Sequence, residues 1–248
     1  MSEKLKAPVR RAVSRFWRPF RRDLEDPNRS LSFDFERDST TLLIAFGGMQ
    51  GLLGIPPFEF FKATGEIPVK RLFVRDLHQA WYHRGIPEYG DDIDQVADAL
   101  RSLLEPHGVQ RLVVAGNSAG GYAALLFGSL LEASTALCFA PQTVIDPEIL
   151  ENMRDDRWKQ QLTALIDAGA LQRRWADLGS ALPAVHNGRT RYEVFFDAGY
   201  ELDRLHAERV SDVPGLTIHA REGGKHSIAQ TMRASGELRA VLREALAP

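Results

Sequence analysis

The sequence predicts an α/β domain: a mostly parallel sheet covered by helices on both faces. Three observations predict it. Short, continuous apolar runs recur along the chain, as strands buried on both faces require. They alternate with stretches of helical periodicity, the mark of strand–helix–strand units. One run, Leu112-Val113-Val114-Ala115, passes straight through Gly116-Asn117-Ser118-Ala119-Gly120-Gly121 into the small-residue stretch Tyr122 to Phe127. Strand, Gly-x-Ser-x-Gly, helix is the sequence form of a nucleophile elbow.

The elements follow in order. Leu31, Phe33 and Phe35 alternate with Ser32, Asp34 and Glu36, the period of a half-exposed strand at an antiparallel edge. Thr40 to Phe46 is apolar throughout, as in a central strand, and ends in Gly47-Gly48-Met49-Gln50-Gly51. Pro56 to Ala63 reads as a short helix carrying Phe58, Phe60 and Phe61, and Val69 to Val74 as a strand closed by Arg75-Asp76. Ile93, Val96, Ala97, Leu100, Leu103 and Leu104 mark one face of an amphipathic helix. Beyond the elbow, Thr135 to Ala140 is a strand stopped by Pro141. Pro147 to about Leu182 is helical in character, broken at Gly169, and longer than a bare crossover needs, so residues 147–183 are expected to form a small helical lid. Arg191 to Phe196 and Leu216 to Ala220 are the remaining strands. Asp203 to Val210 is a helix, and Ile228 to Leu246 the closing one.

A chain of 248 residues with 44% hydrophobic and 26% charged residues suits one soluble domain with a sizeable core. A net charge of −2 gives no general pull toward nucleic acid. No apolar run approaches the ~20 residues a membrane span needs, and the opening residues lack the apolar core of a secretory signal. The single Cys138 excludes an internal disulfide, so the expected home is a reducing cytoplasm. Residues 1–28 differ from the domain at 29–248. Lys4, Lys6, Arg10, Arg11, Arg15, Arg18, Arg21 and Arg22 are interspersed with Val9, Val13, Phe16, Trp17 and Phe20. This is either a basic amphipathic helix for weak contact with a membrane surface or acidic partner, or a solvated tail whose aromatics pack on the domain. A cleaved organellar presequence is the third reading.

The elbow defines the candidate chemistry. Gly116 and Gly120 clear the space a tight turn needs, and Ser118 is thrust out between strand and helix with the Ala119 N–H aimed at a developing oxyanion. A serine hydroxyl needs a base and an orienting acid. His226, in the Gly-bearing loop Glu222 to Ser227 after the last strand, is the leading base; His83 and His206 are the competitors nearest a site. The acid should follow the strand Arg191 to Phe196, where Asp203 is preferred to Asp197, with Glu201 third. Asp203 also reads as a helix N-cap. The second oxyanion donor falls to the N–H of Gly48 or Met49. Trp81 and Tyr82, in the loop after the strand ending at Val74, either line a substrate pocket or pack structurally over Asp76-bonded amides.

With the elbow, the Gly47-Gly48 loop and His226 in place, Leu31 to Leu246 resembles the α/β-hydrolase family. The resemblance implies an eight-stranded, mostly parallel sheet and acyl-transfer chemistry through Ser, Asp and His in that chain order, without a cofactor. The elbow is also similar to that of hormone-sensitive-lipase-like esterases, but Asn117 stands where they carry Asp and their His-Gly-Gly-Gly run is missing, so their substrates are not carried over. The expected activity is a serine hydrolase acting on an ester or related small acyl substrate. The alternatives are acyl transfer to a sugar or amine acceptor with the same triad, and a non-catalytic binding module on the same fold. A dinucleotide-binding turn is disfavoured, because several strands precede the glycines and no acid ends the strand that follows. No His or Cys spacing suggests a metal site.

Overall fold

The computed structural model describes Asp26, residues 28–49 and residues 60–247. The basic segment, apart from Asp26 and Asn28, lies outside the described residues, as do Gln50, Gly51 and the first half of the short helix expected from Pro56; Phe60 to Glu66 form turns.

Strands β1 (Leu31–Asp34), β2 (Thr41–Phe46), β3 (Lys70–Val74), β4 (Arg111–Asn117), β5 (Thr135–Phe139), β6 (Arg191–Asp197) and β7 (Leu216–Arg221) make one sheet in the order β1-β3-β2-β4-β5-β6-β7. β1 pairs antiparallel with β3 at the edge, and every other pairing is parallel. Seven strands are thus present among the described residues, where the resemblance implied eight.

Parallel pairing forces a crossover between neighbours, and the crossovers cover both faces. Helices α1 (Ile93–Leu104) and α2 (Ala119–Leu130) lie on one face, and α7 (Ile228–Ser235) and α8 (Glu237–Ala245) on the other. The strands divide their side chains accordingly. Leu42, Ile44, Phe46, Leu112 and Val114 point to the first core, while Leu43, Ala45, Val113 and Ala115 point to the second, the period of two of a sheet buried on both sides. β4 is central, between β2 and β5, so its carboxyl end emerges from the middle of the sheet.

Between β5 and β6 the chain makes an insert: α3 (Pro147–Met153), α4 (Lys159–Asp167), a 3₁₀ turn at Arg173–Trp175, and α5 (Leu178–Val185). The expected helical stretch is cut not only at Gly169 but also at Arg154, both left-handed (φ 64° and 55°). The insert is tied back by Ile145 N–H to Ala176 O (2.7 Å) and Leu178 N–H to Thr143 O (2.9 Å). Likewise the closing helix is two helices, because Gly236 takes φ 86° between Ser235 and Glu237. The fourth helix of the second half, α6 (Glu201–Arg209), starts two residues earlier than expected. Asp203 therefore sits inside its first turn and is not its N-cap. No helix among the described residues is long and apolar enough to cross a membrane.

Candidate functional site

The elbow is built as tightly as its glycines suggest. A Cβ on Gly116 would overlap the backbone carbonyl of Gly120, and one on Gly120 would overlap the Phe46 carbonyl oxygen. Ser118 between them takes φ 57°, ψ −119°, a conformation that L-residues adopt only when the surroundings impose it. The Ser118 N–H donates to Phe139 O (2.9 Å), and its carbonyl accepts from Tyr122 N–H (3.0 Å) and Gln142 N–H (3.2 Å). The residue is 6% exposed.

His226 Nε2 lies 2.8 Å from Ser118 Oγ, and its Nδ1 lies 2.8 Å and 3.0 Å from the two oxygens of Asp203. The three side chains come from β4–α2, α6 and the loop after β7. This geometry fixes the neutral tautomer that can work: Nδ1–H donates to Asp203, leaving Nε2 to accept the seryl proton.

Asp197, the rival acid, has another task. Its Oδ1 accepts from Gly199 N–H (2.9 Å) and Gly223 N–H (3.2 Å), and its Oδ2 from Lys225 N–H (2.7 Å). Burial disfavours its charge, but these donors outweigh that and hold the carboxyl below the usual carboxylate range. Asp197 thus shapes the loop that presents His226. Glu201 is exposed at the start of α6.

The Gly47 loop begins against the N-terminus of α2, with Gly47 N–H donating to Val74 O (2.8 Å) and Met49 buried. Ala119 opens α2, so its N–H has no acceptor a turn earlier. Gly48 and Met49 follow β2, whose carboxyl end lies beside that of β4, with Phe46 paired to Gly116.

Trp81 and Tyr82 part company. Trp81 donates from Nε1 to Gln142 Oε1 (2.7 Å), and both line a cavity of about 480 Å³ under the insert together with Val144, Ile145, Leu150 and Trp158. Gln142 links this cavity to Ser118 through its backbone N–H. Tyr82 instead lies beneath the Gly47 loop, fully buried, with its ring edge on Phe46 and its hydroxyl donating to Gly47 O (2.9 Å). The substrate-contact expectation for Tyr82 is corrected accordingly: successive residues with φ 50° and 66° send the two rings in different directions. Asp76 fastens this loop, accepting from the N–H groups of His78, Ala80 and Tyr82.

The two competing histidines are structural. His83 Nδ1 accepts from Gln172 N–H (3.0 Å); its Nε2–H donates to Tyr122 Oη (2.8 Å), which donates in turn to Trp175 O. This joins the insert to α2. Burial pushes the His83 imidazole from 6.5 down to about 3. The unfolded chain therefore binds a proton below pH ~6.5 that the folded chain refuses until pH ~3. That contribution to stability is complete above the upper value and is lost as pH falls toward the lower one, at roughly 1.4 kcal/mol per unit. Urea unfolding from pH 7 to pH 4 should show a shallower pH slope in His83→Gln than in the parent, and equal slopes would contradict it.

His206 is buried on α6, accepting Thr143 N–H at Nδ1 (3.0 Å) and donating Nε2–H to Asp155 (3.0 Å); burial pushes its pKa down. Asp155 also holds Arg157, which the sequence reading missed. Arg157 Nε and Nη2 donate to the two Asp155 oxygens (2.9 Å and 2.6 Å), and Nη1 donates to Asp203 Oδ1 (2.8 Å). Burial opposes the charges of Asp155 and Arg157, but hydrogen bonds prevail: those from His206 and Arg157 drive the Asp155 carboxyl well down, and those to Asp155 and Asp203 drive the guanidinium up. Among the described residues no cluster of three His, Cys, Asp or Glu side chains is placed to hold a metal ion.

No protein-family model matches the chain, and no curated protein matches it in sequence. Solved structures do match in three dimensions. The capsule O-acetyltransferase of Neisseria meningitidis serogroup A, in complex with CoA, superposes with a TM-score of 0.63 at 12% identity, over 87% of this chain and 90% of that one. An α/β-hydrolase enzyme from the sediment metagenome of the Mar Chica lagoon, Morocco, gives 0.55 at 16%, over 86% and 93%. The fluorophosphonate-binding serine hydrolase F of Staphylococcus aureus gives 0.56 at 14%, over 84% of each chain. With this sheet order, this elbow at the end of the central strand, and these likenesses over most of its length, the chain has the α/β-hydrolase fold.

Proposed function

We propose that the protein is a serine hydrolase that cleaves an ester or related acyl bond through an acyl-enzyme. The observation that carries this reading is the position of His226, within 3 Å of both Ser118 Oγ and Asp203. Ser118 Oγ attacks the acyl carbonyl carbon while its proton passes to His226 Nε2. Asp203 holds the tautomer and stabilises the imidazolium. The oxyanion is received by the Ala119 N–H and a second N–H from Gly48 or Met49. His226 then protonates the leaving group, and water, deprotonated by His226, releases the acid and restores Ser118. Trp81 contributes to the wall that receives the substrate.

A second reading keeps the same acyl-enzyme and gives the acyl group to a sugar or amine hydroxyl or amino group instead of water. The fold likeness to the capsule O-acetyltransferase supports it. Only the acceptor differs, and access of water to the intermediate decides between them.

The test is labelling by a fluorophosphonate, with the adduct mapped by peptide mass. Modification at Ser118 is expected; an unlabelled, folded protein would leave a binding module. A panel of p-nitrophenyl esters and thioesters, with and without a hydroxyl acceptor, then separates hydrolysis from transfer. Asp203→Asn is expected to lower turnover about 10⁴-fold by stabilising the wrong imidazole tautomer. Asp197→Asn should cost far less in turnover, acting through loop order. The reverse ranking would reassign the acid.

A further inference from the structure

His226 is faced by more than Asp203. Tyr200 stands before α6 with its ring centroid 6.5 Å from the imidazole. Lys225 adjoins it in sequence, with its N–H on Asp197 at the end of β6. Arg157 approaches from the insert, with Nη1 3.2 Å from His226 Nδ1. In the working tautomer Nδ1 carries its proton toward Asp203, so this approach sets one N–H donor against another. It is not a hydrogen bond. Arg157 Nη1 and His226 Nδ1–H both donate to Asp203 Oδ1, each at 2.8 Å. The guanidinium thus draws charge from the carboxylate that would stabilise the imidazolium, and places a positive charge directly beside it. Behind it, Asp155 and the neutral His206 hold Arg157 in register. The Asp203, Asp155 and His206 side chains are at most 3% exposed and that of Arg157 is 15% exposed, so water screens these charges poorly.

We propose that Arg157 is a positioning residue of the triad, which holds His226 aimed at Ser118 and offsets the pull of Asp203 on the seryl proton by sharing that carboxylate, and that Asp155 sets the strength of this effect. The proposal rests on the reading of Ser118, His226 and Asp203 as an acyl-transfer triad. It makes the insert between β5 and β6 part of the base's electrostatics as well as a wall of the cavity. The balance is explicit: two carboxylates and one guanidinium leave one net negative charge while His226 is neutral, and none once it takes the seryl proton. Removing the guanidinium favours imidazolium too early; removing Asp155 opposes it.

The experiment measures the second-order rate of fluorophosphonate labelling of Ser118 against pH, which reports the free enzyme's base. In Arg157→Gln the acid-limb midpoint should rise by about one unit, so that labelling at neutral pH falls several-fold and recovers at higher pH. Arg157→Lys should keep the midpoint near that of the parent. In Asp155→Asn the midpoint should move the other way, downward. A role confined to pinning the insert would lower the rate at every pH and leave the midpoints in place, and that result overturns the proposal. Should Arg157→Gln fail to fold, the direction of the Asp155→Asn shift decides alone: downward supports it, none or upward overturns it. A parent protein that is not labelled at any pH overturns the triad and this inference with it, whereas a labelled parent with unmoved variants overturns only the role of Arg157.

Discussion

Ser118→Ala is expected to lower acyl turnover by about 10⁶-fold and to abolish fluorophosphonate labelling, with the fold unchanged. Removing a triad nucleophile costs about this much because the remaining members have nothing to activate. A residue of about 10³–10⁴-fold over water should persist, from the oxyanion donors and substrate binding alone. The fold should tolerate the change because the side chain does no structural work: its hydroxyl caps no amide of α2, and the backbone bonds from Ser118 to Phe139, Tyr122 and Gln142 do not depend on it. Far-ultraviolet circular dichroism and a thermal midpoint near that of the parent would establish the second half of the expectation. Full ester hydrolysis by Ser118→Ala would remove the nucleophile and with it the proposed reaction.

Gly116→Ala is expected to fall among the most damaging single substitutions in the chain, on the order of 4 kcal/mol or more. The added carbon would enter the space of the Gly120 carbonyl, which is backbone on a buried helix and cannot swing aside. Nor can the strand move, since Gly116 is paired with Phe46 on one side and Cys138 on the other. Gly65→Ala is the control: its Cβ would meet nothing closer than the Lys62 carbonyl at 3.7 Å, an ordinary contact, and it should be nearly neutral. Urea unfolding of the two variants separates them. A parent-like midpoint for Gly116→Ala would mean that the turn has room the geometry denies.

The sheet and its coverage were legible because buried strands in a parallel sheet are apolar on both faces, and Thr41 to Phe46 or Leu112 to Ala115 can hardly be read otherwise. Ser118 was legible because its signal is local, three small residues and a hydroxyl within one turn. His226 and Asp203 needed chain order as well, since nothing in Lys225-His226-Ser227 or Glu201-Leu202-Asp203 by itself points at residue 118. Arg157 was not legible. It lies between two short helices in Asp155-Asp156-Arg157, a run that reads as a solvated turn, and its partner Asp203 is 46 residues away. The break at Gly236 was hidden for a different reason: a lone glycine inside a helical pattern is tolerated in a helix, so it does not by itself mark an end. Trp81 and Tyr82 could be singled out but not told apart, because left-handed residues in succession scramble the directions in which side chains leave the chain.

The backbone twist at residue 118 has a further consequence. A serine held at φ 57°, ψ −119° costs the native state roughly 1–3 kcal/mol relative to a residue at ease there, and only glycine is at ease there. Random variants sorted for heat resistance, with no demand for turnover, should therefore be drawn to glycine at this site and away from the one side chain that makes it useful. Robustness and reactivity pull in opposite directions at a single codon.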